Sequence, residues 1–313
     1  MFKYVKRNWN IGKHIYGTHS WREFRRNILH TIRTLKNKNE IEQFEAYFNA
    51  YTPYPNILDK QPGLYELMSR TFLYKNSTPK SRLNDIIQHF DYLKRIFSIS
   101  TIQSIYIDEN LYDYHDKNRG ILLFEDNELN LNARLYFEPG QRKEGLMTIL
   151  LQLGTQGLYH ANLRFGKVVN DEISLIIGTI QGYKDGLDNA KYITKRMFGY
   201  RPKNLIVLLC QILAAETMVD NILAISDEGY YANNHLIRGH KSKITELNLL
   251  WEEIGGQLTS DTRYYSIPIN ESRKPIEQIK SQKRSQYRKR YALLDVIIEK
   301  VKNNIKKTVE LDS

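Results

Sequence analysis

The chain has 313 residues, a mass of 37.0 kDa and a hydrophobic fraction of 41%, enough to bury a large core in one domain or two. Its net charge of +11 and pI near 9.4 bias it toward anionic partners: nucleic acid, phospholipid headgroups, acidic protein surfaces or phosphorylated small molecules. The single cysteine, Cys210, lies in an apolar helical run, which excludes disulfides within the chain and cysteine-based zinc sites and fits a reducing cytoplasm.

The first residues, MFKYVKRNWNIGKHIYG, are cationic but are followed by no apolar h-region, so they do not read as a secretory signal, and a cytoplasmic location is expected. Positive charge is concentrated at the two ends. Up to residue 38 the chain carries Lys3, Lys6, Arg7, Lys13, Arg22, Arg25, Arg26, Arg33, Lys36 and Lys38 against Glu23 alone. Four helices are predicted next: WREFRRNILHTIRTL, NEIEQFEAYFNAY ending before Pro53, PGLYELMSRTFL, and RLNDIIQHFDYLKRIF. Their arginines read either as a solvated face or as a binding surface.

The middle of the chain is β-rich. SIYI, GILLFED, NARLYFE, MTILLQL, LYHANLRF and EISLIIGTIQ alternate or are densely β-branched between Gly, Asn, Asp and Pro punctuation, predicting a mainly antiparallel sheet. ISLIIGTI is apolar on both faces and belongs at the sheet centre, with LYHANLRF beside it through the polar FGKVVNDE turn. His160 on LYHANLRF is an acid–base candidate; the competing reading is a hydrogen-bonded, half-buried histidine, since no Ser, Cys or carboxylate motif accompanies it.

A polar helix from about Asp188 to Phe198, the GYRPKNL turn, an apolar helix to Ala215 and the strand NILAIS follow. LIVLLCQILAA, the longest apolar stretch, is far short of the ~20 residues a spanning helix needs, so any membrane contact would be peripheral, on the inner face. Pro202 suits a first helical turn, which puts Arg201 and Lys203 at the positive end of the helix dipole, where an anion would relieve them. Near the C-terminus KSQKRSQYRKRY runs into LLDVII on one long helix. At about 100° per residue, Tyr287, Tyr291, Leu294 and Ile298 form a stripe that Lys280, Lys283 and Arg284 continue. Cations on such a stripe require either that the helix project from the body or that an anion sit against it.

Other chemistries fail on spacing. Gly178, Gly182 and Gly186 match neither the dinucleotide fingerprint nor the P-loop, and His235 and His240 are five apart, off the geometry of a helical metal pair. In WEEIGG the adjacent carboxylates point apart on a helix that the glycines end while Trp251 packs.

Taken in order, GTIQG, YRPKNLIVLLCQILA, WEEIGG, a strand ending at Ile267 and Pro268, and IEQIKSQKRSQYRKRYALLD resemble the VirK/YbjX family, a domain family of unknown function in Gram-negative bacteria. RLNDIIQHFDYL resembles the family's N-terminal part, so the likeness runs from about residue 60 to 300; TELNLLWEE departs from it where acidic and aromatic residues are expected ahead of Trp251. The resemblance implies association with virulence, envelope stress, resistance to cationic antimicrobial peptides, and membrane localisation or production of a surface protein. It implies no reaction.

The expected fold is α+β: a helical part over residues 1–98, then a sheet-centred body over 99–313 with flanking helices and a long basic C-terminal helix. Three functions stay open. The first is a cytoplasmic accessory protein whose basic ends, including Arg288 and Arg290, bind an anionic partner such as a phospholipid surface or a phosphorylated small molecule, with no cofactor or metal. The second is a GCN5-related acyltransferase-like enzyme using acyl-coenzyme A or another acyl-thioester. Arg201 and Lys203 would then bind phosphate, Lys280, Lys283, Arg284 and Arg288 would orient an anionic group, and His160 or Tyr287 would move a proton. The third is a nucleic-acid-binding protein, which no recognised fold supports.

Overall fold

A computed structural model of the chain describes residues 2–50, 55–107, 120–168, 171–183, 186–234 and 246–309. The helical part begins with α1 (Phe2–Tyr16), α2 (Trp21–Lys36), α3 (Lys38–Ala50) and α4 (Pro55–Lys60). Ser20 caps α2: its hydroxyl accepts from the Glu23 N–H while the Glu23 carboxylate accepts from the Ser20 N–H, satisfying two end groups reciprocally. The predicted PGLYELMSRTFL helix is only partly formed. A 3₁₀ turn over Pro62–Tyr65 runs into the short α5 (Glu66–Ser69), and the chain then extends, with Leu73 at φ 70°. Helix α6 (Pro79–Ile96) starts at Thr78 with Pro79 in its first turn.

SIYI is not a strand. It closes α7 (Ile99–Tyr106), where the Ser98 hydroxyl caps the Thr101 N–H and Ile102, Ile105 and Tyr106 bury one helical face. The other predicted strands form: β1 (Ile121–Asp126), β2 (Leu131–Tyr136), β3 (Met147–Leu153), β4 (Gln156–Lys167), β5 (Ile173–Gly182) and β6 (Asn221–Ile225). Two short strands, β7 (Gln257–Leu258) and β8 (Tyr264–Ile267), complete one eight-stranded sheet in the order β1-β2-β3-β4-β5-β6-β8-β7. Every neighbouring pair is antiparallel except β5 and β6, which run parallel. The connection between those two carries α8 (Leu187–Arg196) and α9 (Pro202–Glu216), as a parallel crossover requires. The doubly apolar β5 does lie inside the sheet.

Two of the sheet's irregularities bear on the site. Strand β3 reaches β4 only as far as the Met147–Leu163 pair, so the last residues of β4 have no strand on that side. Helix α6 fills the notch: His89 Nδ1 accepts the Phe165 N–H at 3.0 Å and Gln88 Oε1 accepts the Lys167 N–H at 2.9 Å. In β5, Asn162 faces Thr179 and Leu163 faces Ile177, which leaves Gly178 as the extra residue of a bulge. A Cβ at Gly178 would overlap the Glu144 carbonyl oxygen, so the bulge needs glycine.

Helix α9 buries Leu205 to Ala214 without a break against β3, β4, β5 and β6, and Cys210 packs there with its thiol pushed up by burial. The remaining helices are α10 (Leu247–Glu253) and α11 (Ser281–Lys306). On α11 the buried seam is Leu294, Ile297, Val301 and Ile305, set against α9 and β1, while residues 281–293 bury none of their side chains fully. The basic start of the helix therefore lies on the surface of the body and outside its core. Among the described residues no helix is long and apolar enough to cross a membrane.

Candidate functional site

The parallel strands β5 and β6 pair only over Ser174–Ile177 and Asn221–Ala224; beyond the bulge, Thr179 to Gly182 continue without a β6 partner. At this parting sits Glu144, 5% exposed, brought in by the loop before β3 and locked by the Leu146 N–H bond to the Leu163 carbonyl. Its Oε2 accepts from Asn162 (2.8 Å), Thr179 (2.5 Å) and Gln181 (3.0 Å), and its Oε1 accepts from Gln181 (3.1 Å) and the Tyr230 hydroxyl (2.6 Å). Asn162 is itself oriented by Thr148, whose hydroxyl donates to Oδ1. No Lys or Arg pairs with Glu144 among the described residues, so neutral donors alone replace the water that the carboxylate gives up. Burial, with the Glu144 charge next in weight, pushes the Tyr230 hydroxyl far up and Tyr231 up to about 12; both stay protonated in the physiological range.

His160 lies two residues from Asn162 on β4, facing Leu150 on one side and Gln181 on the other. It is 6% exposed, its ring meets Tyr183 edge-on at 5.4 Å, and neither nitrogen has a hydrogen-bond partner among the described residues. Burial pushes its pKa down to about 4, which keeps the ring neutral. Of the candidate site residues named from the sequence, it alone adjoins the Glu144 cluster. Glu144, Thr179, Gln181 and Tyr230 went unnoticed, although polar side chains at alternate positions of a central strand were a usable signal.

The start of α9 has no side-chain cap, and Pro202 brings no N–H. Arg201 and Lys203 flank it, and the Glu253 carboxylate at the end of α10 pairs with both, with Arg201 at 3.2 Å and with Lys203 more closely. Both cations at this helix start are thus already paired by a carboxylate that the chain itself supplies. On α11, Arg290 and Gln286 both donate to the Phe198 carbonyl in the turn ahead of Arg201, and Arg290 stacks over Tyr287 at 4.1 Å. Tyr287 also meets Tyr291 edge-on. Arg284 bonds the backbone carbonyls of Glu277 and Ile279. Lys280, Lys283 and Arg288 are exposed and make no ion pair among the described residues, with Lys283 seven residues, about 10 Å along the helix, beyond Arg290. His235 and His240 lie outside the described residues.

These features define an α+β protein on one mixed sheet, with a buried polar cluster where its parallel pair parts. The chain belongs to the family described as "Protein of unknown function (DUF535)", which matches residues 19–303, and so to the VirK/YbjX group. It is 28% identical over 261 residues to the uncharacterized protein YbjX of Escherichia coli K12, covering 80% of this chain and 76% of that one. An uncharacterized protein of Haemophilus influenzae is 23% identical over 279 residues, 88% of each chain, and another from that organism is 31% identical over 126 residues, 39% of this chain and 40% of its own. No solved structure matches.

Proposed function

We propose that this chain is an acyltransferase-like enzyme that takes its acyl group from a thioester such as acyl-coenzyme A, with the reacting carbonyl held where β5 and β6 part. The observation that carries the reading is the parallel pair inside an antiparallel sheet. It is joined by a helix with a cationic start and bulged at Gly178 beside a buried carboxylate. GCN5-related acyltransferases grip pantetheine and pyrophosphate with such parts, and the argument is one of architecture. The bulge interrupts the β4–β5 ladder at Gly178, and a thioester carbonyl would take a backbone N–H freed there. Arg201, Lys203 and the free end of α9 would bind the donor's phosphates once Glu253 yields them. The cations of α11, Lys280, Lys283, Arg284 and Arg288, would draw an anionic acceptor to the same side.

In this scheme an acceptor amine or hydroxyl attacks the thioester carbon, the C–S bond breaks, and the acceptor's proton passes to Glu144. Tyr230 gives its proton to the departing thiolate and recovers one from Glu144 across their 2.6 Å bond, so charge balances. His160, neutral and unpartnered, has a free nitrogen to orient either group. The VirK/YbjX kinship supports a setting in bacterial envelope stress or virulence.

The test is thermal stabilisation by acetyl- and longer acyl-coenzyme A, because a ligand that binds only the folded state raises Tm. A rise that Arg201→Ala with Lys203→Ala abolishes supports the reading. No rise at millimolar ligand removes it.

A further inference from the structure

Helix α2 is packed inside out. Against α1 and α5 it buries Asn27, His30, Thr31 and Thr34, with His30 bonded to Ser69 of α5, while Trp21 is 75% and Ile32 56% exposed and Phe24 and Leu29 are also partly exposed. A helix that only supports a globular body does the reverse. The seam is closed by polar and small groups: Asn27 donates to the Trp9 carbonyl, the Thr31 hydroxyl to the Asn27 carbonyl, and a Cβ at Gly12 would overlap the Asn27 side chain. At 100° per residue, Trp21, Phe24, Ile28, Ile32 and Leu35 fall within an arc of about 80°, which borders the buried polar side at Phe24 and Thr31 and leaves Trp21 and Ile32 outermost. Trp21 stacks on Phe24 at 5.9 Å and Trp9 meets Phe24 edge-on at 5.5 Å, which gathers the aromatics into one outward cluster.

Along one flank of that arc run Arg22, Arg25, Arg26, Arg33 and Lys36, and none of them makes an ion pair among the described residues. The one acid on α2, Glu23, is engaged by the Ser20 and His19 N–H groups at the cap. Large aromatic and aliphatic side chains beside unpaired arginines are the two attractions that seat a helix in the headgroup region of an anionic bilayer. A second copy of the chain would bring like charges together, and nucleic acid would leave Ile32 and Leu29 without use.

We propose that the outer face of α2, with Trp9 from α1, docks the protein on an anionic phospholipid surface. The surface acts independently of the site at the β5–β6 parting. Binding is read by co-sedimentation of the full chain with vesicles of phosphatidylcholine and phosphatidylglycerol (70:30) or of phosphatidylcholine alone. The wild type should bind the mixed vesicles at least tenfold better, with affinity falling as salt rises. Arg22→Glu with Arg26→Glu should cost tenfold or more. Trp21→Ser with Ile32→Ser, which leaves charge unaltered, should cost several-fold, a loss that charge attraction alone does not produce. All four side chains are exposed, so the variants should keep the wild-type Tm. Equal binding to neutral vesicles, unchanged binding in both variants, loss only on Lys283→Glu with Arg288→Glu in α11, or self-association that Trp21→Ser with Ile32→Ser abolishes in a protein that ignores vesicles would each overturn the proposal.

Discussion

His89 Nδ1 accepts the backbone N–H of Phe165, and that one bond fixes the state of the ring. A nitrogen facing an amide N–H must carry a lone pair, so Nε2 bears the proton and donates to the Tyr106 hydroxyl at 2.7 Å, which in turn donates to the Leu146 carbonyl. One neutral imidazole thus joins α6, α7, β4 and the strand entry beside Glu144. His89→Ala should lower stability by about 3 kcal/mol through the cavity and two orphaned partners, measured by urea unfolding.

Acid should weaken the fold through its histidines. Burial pushes His89 down to about 3 and His30 and His160 to about 4, below the usual 6.5. Below pH 6.5 the unfolded chain takes up protons that the folded chain refuses. The contribution of these rings is therefore whole above that pH and lost as pH falls toward 4 and 3, with a limiting slope of about 1.4 kcal/mol per pH unit for each ring. His160→Leu should flatten the decline between pH 6.5 and 5. An unaltered slope in that variant would contradict a neutral, buried ring.

Glu144 anchors the cluster more by what surrounds it than by charge pairing. Glu144→Ala would leave Asn162, Thr179, Gln181 and Tyr230 with donors aimed at nothing, a loss of about 3–5 kcal/mol in urea unfolding. Glu144→Gln keeps the shape but sets an amide N–H₂ against donors, and should lose about 2 kcal/mol and any acyl transfer.

Gly178→Ala should be worse than its size suggests. The added methyl meets a backbone oxygen that cannot swing aside, so about 3 kcal/mol or more is expected in unfolding measurements. At Gly182 the added methyl would meet only the Tyr159 ring, at 3.2 Å, so Gly182→Ala should cost far less.

Glu253→Gln separates binding from stability. The two ion pairs it breaks are partly solvent-exposed, so stability should change by about 1 kcal/mol or less. Affinity for acyl-coenzyme A, followed by thermal shift or calorimetry, should rise several-fold, because the donor's phosphates would no longer compete with a resident carboxylate.

Most strands and the long helices were legible because their periodicity is local. The misreadings fell where a local pattern has two solutions. SIYI is β-branched enough for a strand, yet Ser98 as a cap and the 102–105–106 spacing make it helical. PGLYELMSRTFL has helix-forming residues throughout but is broken after Ser69 by tertiary demands on Phe72 and Leu73, which are both buried. The Glu144 cluster could not be assembled from sequence: GTIQG supplies Thr179 and Gln181, but Glu144 itself lies 35 and 37 residues before them, 18 before Asn162 and 86 before Tyr230. The face of α2 was visible as a row of arginines. Its inversion was not, because which side of a helix is covered depends on what α1 offers it.

The wedge that α6 drives alongside β4 has a consequence for dissection of the protein. The amides of Phe165 and Lys167 face His89 and Gln88, and a fragment beginning after residue 98 would bare both. Such a fragment would carry a short open step in its sheet, a docking place for any passing strand, and should come out of refolding as clumps or as exchanged dimers rather than as a monomer.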